Sequence, residues 1–295
     1  MSFLVRFWGT RGSIPTPGDS TSKYGGNTSC VEVRIDDHLF ILDGGTGLRE
    51  LGADLLGRNL GRIEAHLLFS HMHWDHIQGF PFFVPAYVPN NKFFIYGASS
   101  GDRRFYNLLS GQMRPEYFPV DFSTLNADIS PLDLGAHDRM IEGVRVRCLD
   151  QRHPGGSYAY SLEKNGVKLV YSTDNEIDLT FADPEHVQKH LAEPRPIPPE
   201  LVEFCKDANL LIVDGQYSDQ QYWPRHVGWG HSRATTVVDL AIAANVKEMA
   251  IFHHDPIQTD ALLDAKIGAC RQRVKSFGSP LFLFPAREGL EVKLD

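Results

Sequence analysis

Three histidines and one aspartate fall within six consecutive positions, in the segment HMHWDH. This segment directly follows the apolar run 65–69, which predicts a short buried strand, so the turn after that strand brings several side chains into one small volume. Imidazole and carboxylate are ligands that suit zinc, and also manganese or iron. One tetrahedral ion takes fewer ligands than this from so short a segment. The spacing therefore predicts two neighbouring divalent ions, zinc first among them, held in part by His71, His73, Asp75 and His76.

The elements that must position this cluster are strands with helices between them. Apolar or alternating runs predict strands at 3–8, 30–35, 39–42, 144–149, 159–162, 168–171, 210–213 and 248–252. Asn165-Gly166 is typical of a hairpin turn. Helical spacing occurs at 48–56, 233–244 and 259–276. With no break in composition, the pattern predicts one α/β domain over residues 1–295, with two layers of sheet.

Composition excludes several classes of function. The chain has 295 residues, 42% of them hydrophobic, and a formal net charge of −8, so nothing attracts it globally to the phosphates of a polymeric nucleic acid. No uninterrupted apolar stretch of the sequence is long enough to span a membrane, and the first residues do not read as a signal peptide. Both features predict a cytoplasmic location. The four cysteines are scattered without a CxxC pair, so buried reduced thiols are expected.

The segment HMHWDH resembles the HxHxDH signature of the metallo-β-lactamase superfamily. The resemblance implies an αββα sandwich, with two mixed sheets flanked by helices and a dinuclear metal site at one edge of the sheets. It also implies a later His, Asp and His, each after a strand, and His153, Asp174 and His254 match in that order. His253 competes for the last place, but on an extended chain it would face the other way, so His254 is preferred.

By the same resemblance, each residue receives a role. His71, His73 and His153 would hold the first ion, Asp75, His76 and His254 the second, and Asp174 would bridge both. Asp43, in LDGGTG, would orient a ligand histidine. Two ions that share a bridging water lower its pKa until hydroxide forms at neutral pH, and they clamp the oxygens of a phosphoryl group or polarise a carbonyl. The expected chemistry is therefore hydrolysis, with Asp75 among the catalytic residues.

Two features favour a phosphodiester as the substrate. Classical lactamases lack a histidine at the position of His76, which argues against a β-lactam. The segment GWGHS resembles the C-terminal block of the RNase Z and small phosphodiesterase branch. His231 matches the histidine that contacts the scissile phosphate or assists its leaving group in that branch, and Asp214 matches an acidic residue that could orient it.

The N-terminal loops GTRGSIPTPG and YGGNTSC resemble those of the same branch. Their backbone amides could meet an anionic substrate, and Arg11 and Asn27 are the predicted substrate-binding residues. In the segment 112–130, Tyr117, Phe118 and Phe122 could stack on a base or pack in the core.

The resemblance to RNase Z stops short of its tRNA-gripping arm. That arm lies between the ligands that correspond to His153 and Asp174, where this chain has only twenty residues (174 − 153 − 1). The acidic net charge also argues against a tRNA substrate. A small phosphodiester, such as a cyclic nucleotide or nucleotide derivative, is the predicted substrate. A carboxylic-ester, thioester or lactone hydrolase and a non-catalytic sensor stay open as alternatives, and the resemblance suggests a homodimer.

Overall fold

The computed structural model describes residues 2–58, 61–97, 104–134 and 138–295. Contacts within the chain divide it into two compact units. The first comprises Met1–Gly18, Gly25–His137 and Arg287–Leu294, and the second comprises Asp19–Tyr24, Asp138–Ala286 and Asp295. That residues 1–295 behave as a single domain stays a prediction.

The strands within the described residues are, in chain order, β1 (Phe3–Gly9), β2 (Cys30–Ile35), β3 (His38–Leu42), β4 (Glu64–Phe69), β5 (Lys92–Gly97), β6 (Asp128–Asp133), β7 (Arg139–Ile141), β8 (Val144–Gln151), β9 (Ser157–Lys164), β10 (Val167–Ser172), β11 (Leu210–Asp214), β12 (Glu248–Phe252), β13 (Phe282–Pro285) and β14 (Glu291–Lys293). The α-helices described are α1 (Gly47–Gly57), α2 (Trp74–Ile77), α3 (Arg104–Gly111), α4 (Pro184–Lys189), α5 (Pro199–Cys205), α6 (Asp219–Tyr222), α7 (Ala234–Ala243) and α8 (Asp260–Ser276).

The first unit contains a seven-stranded sheet in the order β14-β1-β2-β3-β4-β5-β6. Pairing is antiparallel from β14 to β3 and parallel from β3 to β6. Along β1 the residues alternate between buried and half-buried, as a strand with one face in a core requires. On α1, Leu48, Leu51 and Leu55 share one face and are buried in the apolar cluster of this unit. Parallel pairing of residues 40–42 with residues 66–68 holds β3 and β4 side by side.

The second unit contains another seven-stranded sheet, in the order β13-β12-β11-β10-β9-β8-β7. Its pairing is antiparallel from β7 to β10 and parallel from β10 to β13, the same succession as in the first sheet. Residues of α5, α7 and α8 form its core together with apolar side chains of the strands. The carboxyl ends of β10, β11 and β12 therefore lie at one edge, where ligands commonly bind in sheets of this kind.

Several sequence predictions are confirmed at this level. Both sheets are mixed, and each is accompanied by helices of its own unit. The Asn165-Gly166 hairpin joins β9 to β10, with φ of 51° and 80°. In the described ranges, no helix combines the length and the apolar character needed to cross a membrane.

Candidate metal centre

In the first unit, the turn after β4 brings together the side chains of the HMHWDH segment. The ring of His71 lies 4.4 Å from that of His73 and 4.3 Å from that of His76, measured between centroids. His76 Nε2 lies 3.2 Å from Asp75 Oδ2. His71, Asp75 and His76 are buried, whereas His73 is exposed. The four residues named from the sequence therefore form one compact cluster of imidazole and carboxylate donors.

Asp43 orients this cluster from the end of β3. Its carboxylate accepts hydrogen bonds from Ser70 N (2.7 Å), Ser70 Oγ (2.8 Å) and His76 Nδ1 (2.8 Å). A histidine that donates from Nδ1 keeps the Nε2 lone pair for a metal. The backbone of Asp43 is left-handed, with φ 59°, a strained conformation of the kind that concentrates at functional sites. The predicted orienting contact of Asp43 is confirmed.

The first glycine-rich loop has a different use from the predicted one. The backbone amide of Ser13 donates to Asp75 Oδ2 at 2.7 Å, so the loop orients a carboxylate of the cluster. Ser13 is left-handed, with φ 65°, a conformation that is uncommon for residues other than glycine. Ser13 could not be predicted from the sequence, because a backbone donor leaves no signal in the type of its side chain.

In the structure, the two predicted substrate contacts of these loops both bond to groups of the protein itself. The side chain of Arg11 is fully buried, and its Nε donates to the carbonyl of Gly25 at 2.8 Å. The amide groups of Asn27 are taken by the carboxylate of Glu288, at 2.6 Å from the backbone and 3.0 Å from the side chain. Burial raises the pKa of Glu288, and these two hydrogen bonds oppose that rise. The fully buried side chain of Arg11 therefore presents no open face to a substrate. Asn27 is half-buried, and its substrate contact stays a prediction.

The second unit contains a cluster of its own. Ligand atoms of Asp174, Asp214, His231 and His253 all lie within 4.8 Å of one another, and all four residues are buried. Asp174 is its hub. His253 Nε2 lies 3.3 Å from Asp174 Oδ1, and His153 Nε2 lies 3.6 Å from Asp174 Oδ2. The structure thus places His153 and Asp174 together as predicted and adds His253.

Each histidine of the second cluster is oriented through its Nδ1 atom. His153 Nδ1 lies 2.9 Å from the carbonyl oxygen of Gly230, and His253 Nδ1 lies 2.8 Å from Gln216 Oε1. His231 Nδ1 lies 2.7 Å from Asp214 Oδ2. The first two contacts direct Nε2 toward Asp174. The third gives His231 the carboxylate partner that the sequence suggested.

The choice of His254 over His253 is wrong in this structure. The Nε2 atom of His254 bonds the carbonyl of Ala286 at 2.8 Å, and its ring packs edge-on against Tyr24. The alternation argument fails because β12 ends at Phe252 and His253 is left-handed, with φ 56°. A left-handed residue breaks the two-residue period of an extended strand, so facing directions cannot be carried past it.

The donor set of both clusters fits divalent metal ions. Imidazole nitrogen and carboxylate oxygen are the donors, an arrangement that zinc, manganese and iron accept. Thiolates are not among them: burial raises the pKa of Cys205 and of Cys270 to about 12, so both stay protonated at neutral pH.

Comparison with known proteins identifies relatives that match most of the chain. A family model described as "Beta-lactamase superfamily domain" matches residues 39–254. Ribonuclease Z of Methanosarcina acetivorans is 27% identical over 293 residues, covering 87% of this chain and 88% of that protein. Among solved structures, the metallo-β-lactamase fold protein YhfI from Bacillus subtilis has a TM-score of 0.70 at 16% identity and covers 99% of both chains.

A further solved structure, described as a new diphosphatase from the PhnP family, has a TM-score of 0.66 at 16% identity, covering 98% of this chain and 97% of its own. At such identities, structural likeness establishes the fold. The predicted αββα fold class of the metallo-β-lactamase superfamily is confirmed.

Proposed function

The chain belongs to the β-lactamase superfamily, and we propose that it is a dinuclear metal-dependent phosphodiesterase. The observation that carries the proposal is the pair formed by His231 and Asp214, joined at 2.7 Å within the cluster around Asp174. Metal ligands alone would suit any hydrolysis in this superfamily. A buried histidine held by a carboxylate adds a group that can donate a proton to a leaving oxygen, which a phosphodiester needs.

The two clusters supply the ligands in this proposal. His71, His73, Asp75 and His76 of the first unit serve as ligands, and His153, Asp174 and His253 of the second unit do the same. When bound, two divalent ions would activate water and neutralise charge on the phosphoryl oxygens. Asp43, Ser13 and Gln216 keep the ligands oriented, so that little reorganisation accompanies the reaction.

His231 acts on the substrate and is not a ligand in this proposal. Its Nδ1 atom is committed to Asp214, which leaves Nε2 to meet the phosphodiester. In the protonated state, the negative charge of Asp214 stabilises the imidazolium, and Nε2 then delivers its proton to the departing oxygen. Asp214 is a positioning residue, since it works through His231.

We propose a small phosphodiester, such as a cyclic nucleotide or nucleotide derivative, as the substrate. The Methanosarcina relative is named for a ribonuclease and the PhnP-family neighbour for a diphosphatase, so relatives of both kinds exist. Most of the residues between His153 and Asp174 form the hairpin of β9 and β10, so this segment is too short to contain an RNA-gripping arm as well. The net charge of −8 also disfavours a polymeric nucleic acid.

The test is a turnover screen of the zinc- and manganese-loaded protein. Substrates are bis(p-nitrophenyl) phosphate, cyclic nucleotides, dinucleotides, a precursor tRNA, and p-nitrophenyl acetate as the matched ester. We expect cleavage of small phosphodiesters that EDTA abolishes. A protein loaded with two ions but inert to every phosphodiester would refute the proposal. Preferred turnover of the acetate would favour the ester, thioester or lactone alternative, and preferred cleavage of the tRNA would refute the small substrate.

Cytoplasmic location and homodimer formation remain proposals from the sequence, the second by resemblance to RNase Z-like proteins. Sedimentation of the metal-loaded chain measures the second directly. Metal content, measured on the same sample, tests the expected two ions per chain. A non-catalytic sensor would show no turnover in that sample.

A further inference from the structure

A cavity of about 510 Å³ opens in the first unit beside the metal-binding turn. Met72, Trp74 and Ile77 form one wall, and Leu108, Arg114 and Tyr117, from α3 and the segment after it, form the other. We call this cavity the Trp74 pocket. Its volume lies in the usual range for small-molecule sites. The catalytic proposal leaves it without a role.

The Trp74 pocket is continuous in sequence with the candidate ligands. Met72 and Trp74 alternate with His71, His73 and Asp75 along the turn. A molecule that rests on the Trp74 side chain is therefore held by the same short segment that carries the ligands. This placement suits the part of a substrate that is bound but not cleaved.

Two aromatic rings of the pocket are left open to solvent. Trp74 is 79% exposed and Tyr117 is 77% exposed, whereas Phe105 and Met113 of the same region are buried in the core. The other aromatics of the segment 112–130 are used in packing: Phe122 stacks on Phe80 at 5.9 Å, and Phe118 meets Phe82 edge-on at 5.3 Å. Open aromatic faces are the surfaces on which nucleobases stack, whatever the base.

The polar groups of the pocket complement a nucleotide. The guanidinium of Arg114 is the only charged group of the lining, and the described residues offer it no ion pair. Carboxylates are absent from the lining residues, so an anionic phosphate in the pocket would lie against Arg114 and not directly against an acidic side chain. The amide of Gln112 is held in place by its bond to the carbonyl of Ile77 at 3.1 Å, which leaves its oxygen to accept from the edge of a base.

We propose that the Trp74 pocket binds the nucleobase of the substrate, stacked on Trp74 and Tyr117, with Arg114 contacting a phosphate oxygen. The inference deepens the proposed function, on which it rests, by specifying a phosphodiester that carries a base. An alkyl chain would use the apolar wall but would gain nothing from Arg114 or Gln112.

Binding is tested without catalysis. Adenosine 5′-monophosphate contains no phosphodiester, and its affinity for the zinc-loaded chain is measured by calorimetry. We expect Trp74→Leu to weaken binding by about 5- to 150-fold, the range of one base stacked on one aromatic ring. Trp74→Phe should restore most of the affinity. Phe282→Leu is the matched control, because Phe282 is 61% exposed and lies on β13 of the second unit.

Kinetics separate the pocket from the reaction. In the metal-loaded protein, Trp74→Leu should raise KM for thymidine 5′-p-nitrophenyl phosphate by a factor in the same range and leave kcat/KM for methyl p-nitrophenyl phosphate, which has no base, within about twofold. Metal content is measured on every variant.

The outcomes keep the two proposals distinct. Cleavage of phosphodiesters with unchanged adenosine monophosphate affinity in Trp74→Leu overturns the pocket and leaves the phosphodiesterase standing. Binding that depends on Trp74 in a protein inert to phosphodiesters supports the pocket and refutes the phosphodiesterase. Two other outcomes contradict the proposal that the Trp74 pocket binds a nucleobase. One is tighter binding of dodecyl phosphate than of adenosine monophosphate, and the other is a change of oligomeric state as the only effect of Trp74→Leu.

Discussion

The two clusters of polar residues are built in opposite ways, although the two sheets have the same succession of strand pairings. In the first unit, one turn of six residues supplies His71, His73, Asp75 and His76. In the second unit, separate segments supply each residue: His153 follows β8, Asp174 follows β10, Asp214 ends β11, His231 precedes α7 and His253 follows β12. A contiguous cluster exists once its turn forms, whereas a dispersed cluster exists only when the whole sheet is in register.

The groups that orient the histidines also differ between the two units, in their charge. Asp43 brings a full negative charge to His76 in the first unit. In the second unit, neutral oxygens of Gly230 and Gln216 orient His153 and His253, and the carboxylate of Asp214 is reserved for His231. Charge in the second unit is therefore directed at the residue proposed to transfer a proton.

The largest effect is expected at His253, where the dispersed cluster of the structure differs from the sequence prediction. His253→Gln should reduce phosphodiester turnover to the limit of detection and lower metal content by about one ion per chain, because it removes a proposed ligand of the dispersed cluster. His254→Gln is the matched control and should retain both ions, since its histidine bonds the carbonyl of Ala286. The measurements are metal content and initial rate. The reverse result would restore His254 as the ligand.

A smaller loss is expected from His231, the proposed proton donor. His231→Ala should lower kcat/KM for a phosphodiester by about 10²- to 10⁴-fold with metal content unchanged. Asp214→Asn should cost about 10- to 100-fold, as an orienting partner does. The loss in His231→Ala should shrink for a substrate with a good leaving group such as p-nitrophenolate. Equal losses for good and poor leaving groups would contradict proton donation.

The orienting partners give a direct comparison of the two units. Asp43→Asn should weaken metal binding by up to about 100-fold, and Gln216→Ala by about 10-fold. The difference is expected because a hydrogen bond to a carboxylate is roughly twice as strong as a neutral one. Competition with a chromogenic chelator measures both affinities. A larger effect at Gln216 would show that charge is not what distinguishes the two clusters.

The smallest effect concerns the dependence of stability on pH. Burial raises the pKa of Asp178, beside Arg233 in the second unit, from 3.8 to about 6. The folded state then binds more protons than the unfolded state between about pH 4 and 6. The free energy of unfolding therefore falls as pH rises through that window, with a slope that corresponds to at most one proton. In metal-free protein, Asp178→Asn should remove that decrease.

Urea unfolding at several pH values measures the slope for wild type and Asp178→Asn. Asp54→Asn of the first unit is the control, because its carboxyl is more exposed and its pKa is raised less. An unchanged slope in Asp178→Asn would mean that Asp178 is ionised throughout the window.

The contiguous cluster could be predicted from the sequence, and the dispersed one only in part. The apolar run before HMHWDH, and the Asn165-Gly166 turn, carry their structure in a few adjacent residues. His153 and Asp174 were found by resemblance. The choice between His253 and His254 depends on one backbone dihedral, φ 56° at His253, and side-chain types do not encode it.

The loops were the least predictable part. Arg11 is the kind of residue that binds phosphate, yet its side chain is buried and bonded to Gly25. Ser13, whose backbone amide holds Asp75, gives no signal at all. In both cases the function depends on which way the backbone turns, and in a loop that direction is set by distant contacts such as that between Asn27 and Glu288.

The repeated succession of pairings has a consequence for folding. The antiparallel pairs β2–β3 and β7 to β10 join strands that are neighbours in sequence, so closing their short loops costs little entropy. The parallel pairs need longer crossover connections and form more slowly. The parallel strands are the ones that carry candidate residues at or just beyond their ends: His71 follows β4, Asp174 follows β10, Asp214 ends β11 and His253 follows β12. We therefore expect metal ions to meet a chain whose hairpins are already closed, and to act on the last step of folding.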